Sequence, residues 1–114
     1  MNNITFVSPV HHEKYQALLA RSQAYDDREF QAAIYVLTAI PKDIKDYIEP
    51  RKIYFSRLMK ECKLWSSSEK ALVRLAATLY NDSAWPVRVG DVFFHLDQTN
   101  TRVALEGLRI RYQF

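Results

Sequence analysis

His11, His12 and Glu13 stand together near the start of the chain and are the first side chains able to hold a metal ion. Helical zinc sites present ligands at i and i+4 on one face, as in H-E-x-x-H. Adjacent histidines diverge by about 100° on a helix, and the position four on from His11 is Tyr15. The third histidine, His95, stands apart in an apolar run after Phe93 and Phe94. The pattern reads as a surface pair at a helix start plus one half-buried histidine. No metal or other cofactor is expected.

Cys62 is the single cysteine, so no internal disulfide can form, and a reducing compartment is the natural setting. With no nucleophile signature around it, beside Leu64 and Trp65, it reads as a small core residue. Ser66, Ser67 and Ser68 superficially resemble a phosphate loop. A phosphate cradle needs glycines so that backbone amides can approach the anion, and none is present. Ser66 followed three residues later by Glu69 is instead a capping box that opens a helix. Asp97, Asn100 and Glu106 are explained as a helix cap and an ion pair from Glu106 back to Arg102. No acid–base pair is completed, and no enzyme is expected.

The remaining chemistry is cationic. Residues 51–74 carry seven basic side chains, Arg51, Lys52, Arg57, Lys60, Lys63, Lys70 and Arg74, against Glu61 and Glu69. Residues 1–50 hold five basic and seven acidic side chains. Such asymmetry steers acidic partners rather than dictating fold. Interleaved with Tyr54, Phe55 and Trp65, the segment has the composition of a binding surface for protein or nucleic acid. A partner-binding face is expected at Arg51, Lys52, Arg57, Lys60 and Lys63, with Trp65 as the aromatic anchor. A helix-turn-helix over 55–64 and 66–81 would send Ser67, Ser68, Glu69 and Lys70 into the major groove, where Glu69 opposes phosphate.

The elements that position these residues follow from caps and periodicity. Residues 4–7 fit either a short strand or an apolar lead-in. Ser8-Pro9 opens a helix in which Tyr15, Leu18, Leu19 and Ser22 share an arc, ending near Ala24. Asp26 caps a second helix, with Glu29 as its box carboxylate, which runs to Ile40 with almost no polar face after Gln31. Residues 42–49 read as one or two helical turns ended by Pro50; in 51–64, Ile53, Phe55 and Leu58 fit either a short strand entry or a helix running to Cys62, with helix favoured from Phe55 onward. After Ser66, Leu72, Val73, Leu75, Ala76 and Leu79 form an apolar face opposite Lys70, Arg74 and Asn81. The ending 108–114 alternates as a strand would. Read as a helix capped by Asp97, it aligns Val103, Gly107, Ile110 and Phe114, and the longer window favours this helix.

With 114 residues the chain has the length of one domain, 1–114, and 48% hydrophobic content builds a core without staples. Only two glycines are present, too few for the many turns of an all-β fold. The start of the chain has no signal-peptide pattern and no run reaches the ~20 apolar residues of a bilayer span, so a cytoplasmic location is expected.

Three pieces occur in order: Tyr25-Asp26-Asp27-Arg28-Glu29 before an apolar helix, the Ser67–Asn81 helix, and the ending from Leu96-Asp97 to Arg111-Tyr112. Together they resemble a domain-of-unknown-function family of small helical proteins from Gram-positive bacteria, their phages and other mobile elements. The resemblance covers most of the chain from about Phe6 onward and departs from the family pattern in residues 41–64. It implies a helical fold and a mobile-element origin, and it carries no catalytic residues. The combined expectation is an all-α or predominantly α bundle of about five helices, acting as a cytosolic protein-interaction module or inhibitor. The second reading takes the same basic segment to nucleic acid.

Overall fold

Six helices and one small hairpin make up the computed structural model, which describes residues 3–114. Helix α1 spans Pro9–Ser22 and α2 spans Arg28–Thr38. The hairpin pairs β1, Ile48–Glu49, with β2, Lys52–Ile53. Helices α3, Phe55–Glu61, and α4, Ser67–Tyr80, follow. The chain closes with α5, Val89–Phe93, and α6, Gln98–Tyr112. The predominantly α expectation holds, with the short α5 added to it.

Capping chemistry sets most boundaries. Ser8 accepts from the His11 N–H with Pro9 at the first helical position, and α1 ends at Gln23, whose φ of 56° is left-handed. Helix α2 is capped by Asp27, not Asp26: its carboxylate accepts from the N–H groups of Glu29 and Phe30. Glu29 therefore sits one position too early to close a capping box. The box at α4 is complete, because the Ser66 hydroxyl accepts from Glu69 N–H while Glu69 accepts from Ser66 N–H at 3.1 Å. Asp97 caps α6, which settles the ending as helix.

Helix α2 is the centre. Every residue from Ala32 to Thr38 is buried, and α2 packs most extensively on α4, then on α6 and α1. Burying so many apolar side chains at about 25 cal/mol per Å² is the main stabilising force. Helix α6 approaches closely enough that a Cβ added at Gly107 would lie 2.6 Å from Val36 Cγ2. Here glycine is required by proximity and not by backbone torsion.

The structure decides two open readings and corrects three others. The segment 42–49 is helical only as a single 3-10 turn, Lys45–Tyr47, before β1. Pro50 and Arg51 form the hairpin loop, with Arg51 at a φ of 59°. Residues 4–7 form no strand; they are the apolar lead-in. His11 is not at the surface but 2% exposed. Its Nε2 lies 2.8 Å from Tyr35 O and its Nδ1 accepts from Val7 N–H, so both ring nitrogens serve the fold. His95, expected to be half-buried, is exposed. Finally, Glu106 pairs with Arg109 at 2.7 Å, three residues on, and not with Arg102.

Candidate partner-binding face

Helix α3 presents the cationic segment. Phe55 and Leu58 on α3 and Cys62 just beyond it are buried at i, i+3 and i+7, which fixes the helix roll and turns Ser56, Arg57 and Lys60 outward. A 3-10 turn, Cys62–Leu64, then joins α3 to the Ser66 cap. Because Cys62 points inward, Lys63 and Leu64 face water, and Leu64 is 96% exposed. Lys60, Lys63 and Leu64 are all exposed on this short stretch.

The six expected site residues fall into three groups. Arg51 is held at the hairpin loop, where it pairs with Asp26 at 3.5 Å in a hollow shared with Arg28, Glu29 and Arg111. Lys52 and Arg57 belong to a mixed-charge aromatic cluster. Arg57 lies 5.5 Å from the centres of both the Tyr47 and Tyr54 rings, and Lys52 lies 5.2 Å from Tyr54. Acids interleave there: β pairing sets Glu49 opposite Lys52, and the Tyr54 hydroxyl donates to Glu49. That hydrogen bond, followed by burial, raises the Tyr54 pKa, while burial and then Glu61 raise that of Tyr47. Both phenols remain protonated at neutral pH.

The third group is Lys60, Lys63 and Trp65. Among the described residues neither lysine has an acidic partner within 4.0 Å. Trp65 is half-buried against the core, with the Lys42 ammonium 5.7 Å from its ring centre and Lys42 in turn 4.0 Å from Glu69. Thus Arg51 is separated by its own ion pair, and the accessible cations with an adjacent apolar residue are those around Leu64. In the sequence Leu64 does not stand out, because an apolar residue beside tryptophan resembles core. Its only local signal is its distance of two from Cys62, which places the two on different sides of a tight turn.

The other candidate chemistry is structurally accounted for. Burial raises the Cys62 thiol above its ordinary value, against the pull of Arg74 and Lys70, and its Sγ donates to Met59 O. Such a thiol is a poor nucleophile. Burial likewise lowers the His11 pKa, opposed by its bond to Tyr35 O. His12 stacks on Phe6, with ring centres 4.2 Å apart. Among the described residues no three of His, Cys, Asp and Glu gather as a metal cluster. Helix α4 buries Ala71, Leu72, Val73, Leu75, Ala76, Ala77 and Leu79, and Glu69 closes its N-terminus. Ser67 stays exposed and Ser68, Glu69 and Lys70 half-buried at that end, where the Glu69 carboxylate would oppose a phosphate backbone.

Fold and face together define a small helical domain with a cationic edge that includes an exposed leucine. A family model described as "Family of unknown function (DUF6075)" matches residues 1–113, and the chain belongs to that family. No curated protein and no solved structure matches it. No helix among the described residues is long and apolar enough to cross a membrane.

Proposed function

We propose that the protein is a non-enzymatic interaction module that docks an acidic protein surface through Lys60, Lys63, Leu64 and Trp65. Lys52 and Arg57 form the flank of that face. The observation that carries this reading is Leu64, left in water on a turn whose neighbours are anchored by Cys62 and the Ser66 cap. An exposed apolar side chain beside lysines that, among the described residues, have no ion pair fits a partner pocket rimmed by carboxylates. Burying it contributes about 1.5–3 kcal/mol, on the order of ten- to a hundredfold in affinity.

The same proposal places the module in the cytoplasm of a Gram-positive host, carried by a phage or mobile element. There it would inhibit a defence or regulatory complex by occlusion. The nucleic-acid reading is less well supported, because Arg57 and Lys52 already cover the Tyr47 and Tyr54 rings and Glu49 and Glu61 sit alongside. Base stacking needs free aromatic faces.

The test is a quantitative pull-down from host cells with wild type, Leu64→Asp and the Lys60→Glu/Lys63→Glu variant. One specific protein should be retained by wild type and lost from both variants, with unchanged melting temperatures. Recovery of the same proteins by all three refutes the face. A mobility shift of non-specific DNA that weakens steeply with salt, and that both lysine substitutions abolish, would move the function to nucleic acid.

A further inference from the structure

A second surface, lined by none of those residues, lies between the residue 5–7 lead-in and α6. This groove has a volume of about 570 Å³, within the range of roughly 300–1,000 Å³ typical of small-ligand sites. Phe6, Val7, Leu105 and Phe114 give it apolar walls, and Tyr35 its base. Leu105 is 50% and Phe114 73% exposed, so large apolar side chains line one concavity without a covering element. The Tyr35 hydroxyl is engaged, donating to Thr5 O at 2.5 Å, so the base is ring and not a free polar group.

The charges of the groove are fixed by three α6 side chains one turn apart, Arg102, Glu106 and Arg109. Glu106 is fully engaged: Arg109 donates to both its oxygens at 2.7 Å, and Thr5 N–H donates to Oε2 at 2.9 Å. Arg109 also donates to Asn3 O. These bonds tie the lead-in to α6 and keep the pair from turning toward a ligand. Arg102 is exposed and, among the described residues, has no ion pair or side-chain hydrogen bond. Of the groove's charged side chains, Glu106 and Arg109 neutralise each other and Arg102 is the positive charge left over.

We propose that this groove binds a small amphipathic monoanion, an apolar or aromatic carboxylate, with its body on Phe6, Leu105 and Phe114 and its carboxylate on Arg102. A dianion is disfavoured, because Glu106 lies one turn away and no second free guanidinium is present. A neutral ligand would leave Arg102 unused.

Titration of isotope-labelled protein with phenylbutyrate, and with its neutral counterpart phenylbutanol, tests the assignment. Phenylbutyrate should saturate one site and shift the amides of residues 5–7 and 99–109. Arg102→Gln should weaken it about three- to tenfold, as loss of a charge-assisted contact does. Phenylbutanol should bind more weakly than the acid and be indifferent to that substitution. Leu105→Asp, at an exposed position, should remove binding without lowering the melting temperature, while Lys60→Glu/Lys63→Glu should leave it unchanged. Failure of phenylbutyrate to saturate wild type, shifts confined to other segments, or equal affinity in Arg102→Gln would overturn the proposal.

Discussion

Gly107→Ala tests the packing that holds the whole bundle. A methyl at this position would meet Val36 Cγ2 at 2.6 Å and Leu79 Cδ1 at 3.3 Å, whereas relaxed carbon contacts lie near 3.5–4.0 Å. Leu79 offers the end of a flexible side chain. Val36 does not: it is fully buried in mid-α2, and a β-branched residue in a helix has one strongly preferred rotamer. Relieving the overlap requires α6 to withdraw from α2 by about an ångström, and overpacking of this kind costs about 1–3 kcal/mol. Against it stands a gain of about 0.8–1.0 kcal/mol from replacing glycine within a helix. The net expectation is a loss of about 1 kcal/mol, or about 4 °C in Tm for a domain of this size. Gly90→Ala is the internal control, because nothing lies within 4 Å of the methyl it adds; it should be neutral or slightly stabilising. Urea denaturation of both variants, with Val36→Ala added to complete a double-mutant cycle, measures the clash directly. Gly107→Ala proving as stabilising as Gly90→Ala, with no coupling to Val36, would refute the close approach of α6 to α2.

Two further perturbations have defined signs. Burial lowers the His11 pKa, Lys14 and His12 act in the same direction, and the bond to Tyr35 O opposes them. The stabilising contribution of His11 is therefore complete above the ordinary histidine value of about 6.5 and is lost as pH falls through the lowered folded value. Glu106, whose pKa is depressed mainly by Arg109, acts in the same direction at more acidic pH, below the ordinary carboxylate range. Urea midpoints measured down the pH scale should decline first below about 6.5, and His11→Gln should flatten that first decline; an equally steep decline in the variant would contradict the assignment. Arg51→Gly keeps the left-handed turn and relieves the about 1–2 kcal/mol that this conformation costs a side chain, offset by the greater freedom of glycine when unfolded. Its exposed pair with Asp26 adds little, so the variant should be more stable by about 0.5–1 kcal/mol in the same urea assay, and a loss would show that the pair matters more than the turn.

Local signals made much of the fold legible. The caps at Ser8, Ser66 and Asp97 and the apolar stripes of α1, α2 and α4 depend on residues within one or two turns of each other, and such interactions are written in the sequence as spacing. The same is true of the buried Cys62, whose neighbours at Phe55 and Leu58 define its side of the helix. Asp26 and Asp27 offer the same capping side chain in the sequence, and only the backbone torsions choose Asp27. The hairpin is faint in the sequence, where only a strand entry near Ile53 is legible, because its strands are two residues each and its turn places arginine where glycine or asparagine is usual.

The face and the groove depended on contacts distant along the chain. Charge counting located the cationic segment, but the separation of Arg51 required Asp26 from the loop before α2, and the cover over Trp65 required Lys42. Arg102 became the groove's free charge only because Arg109 took Glu106, a choice among helical neighbours made by the lead-in residues Asn3 and Thr5. His11 was brought inside by Phe6 and Tyr35, one from before its helix and one from the next. Caps and stripes are decided by nearest neighbours and survive in a linear reading. Burial and ion pairing are competitions among groups that meet only when the helices pack, so the tertiary structure alone decides them.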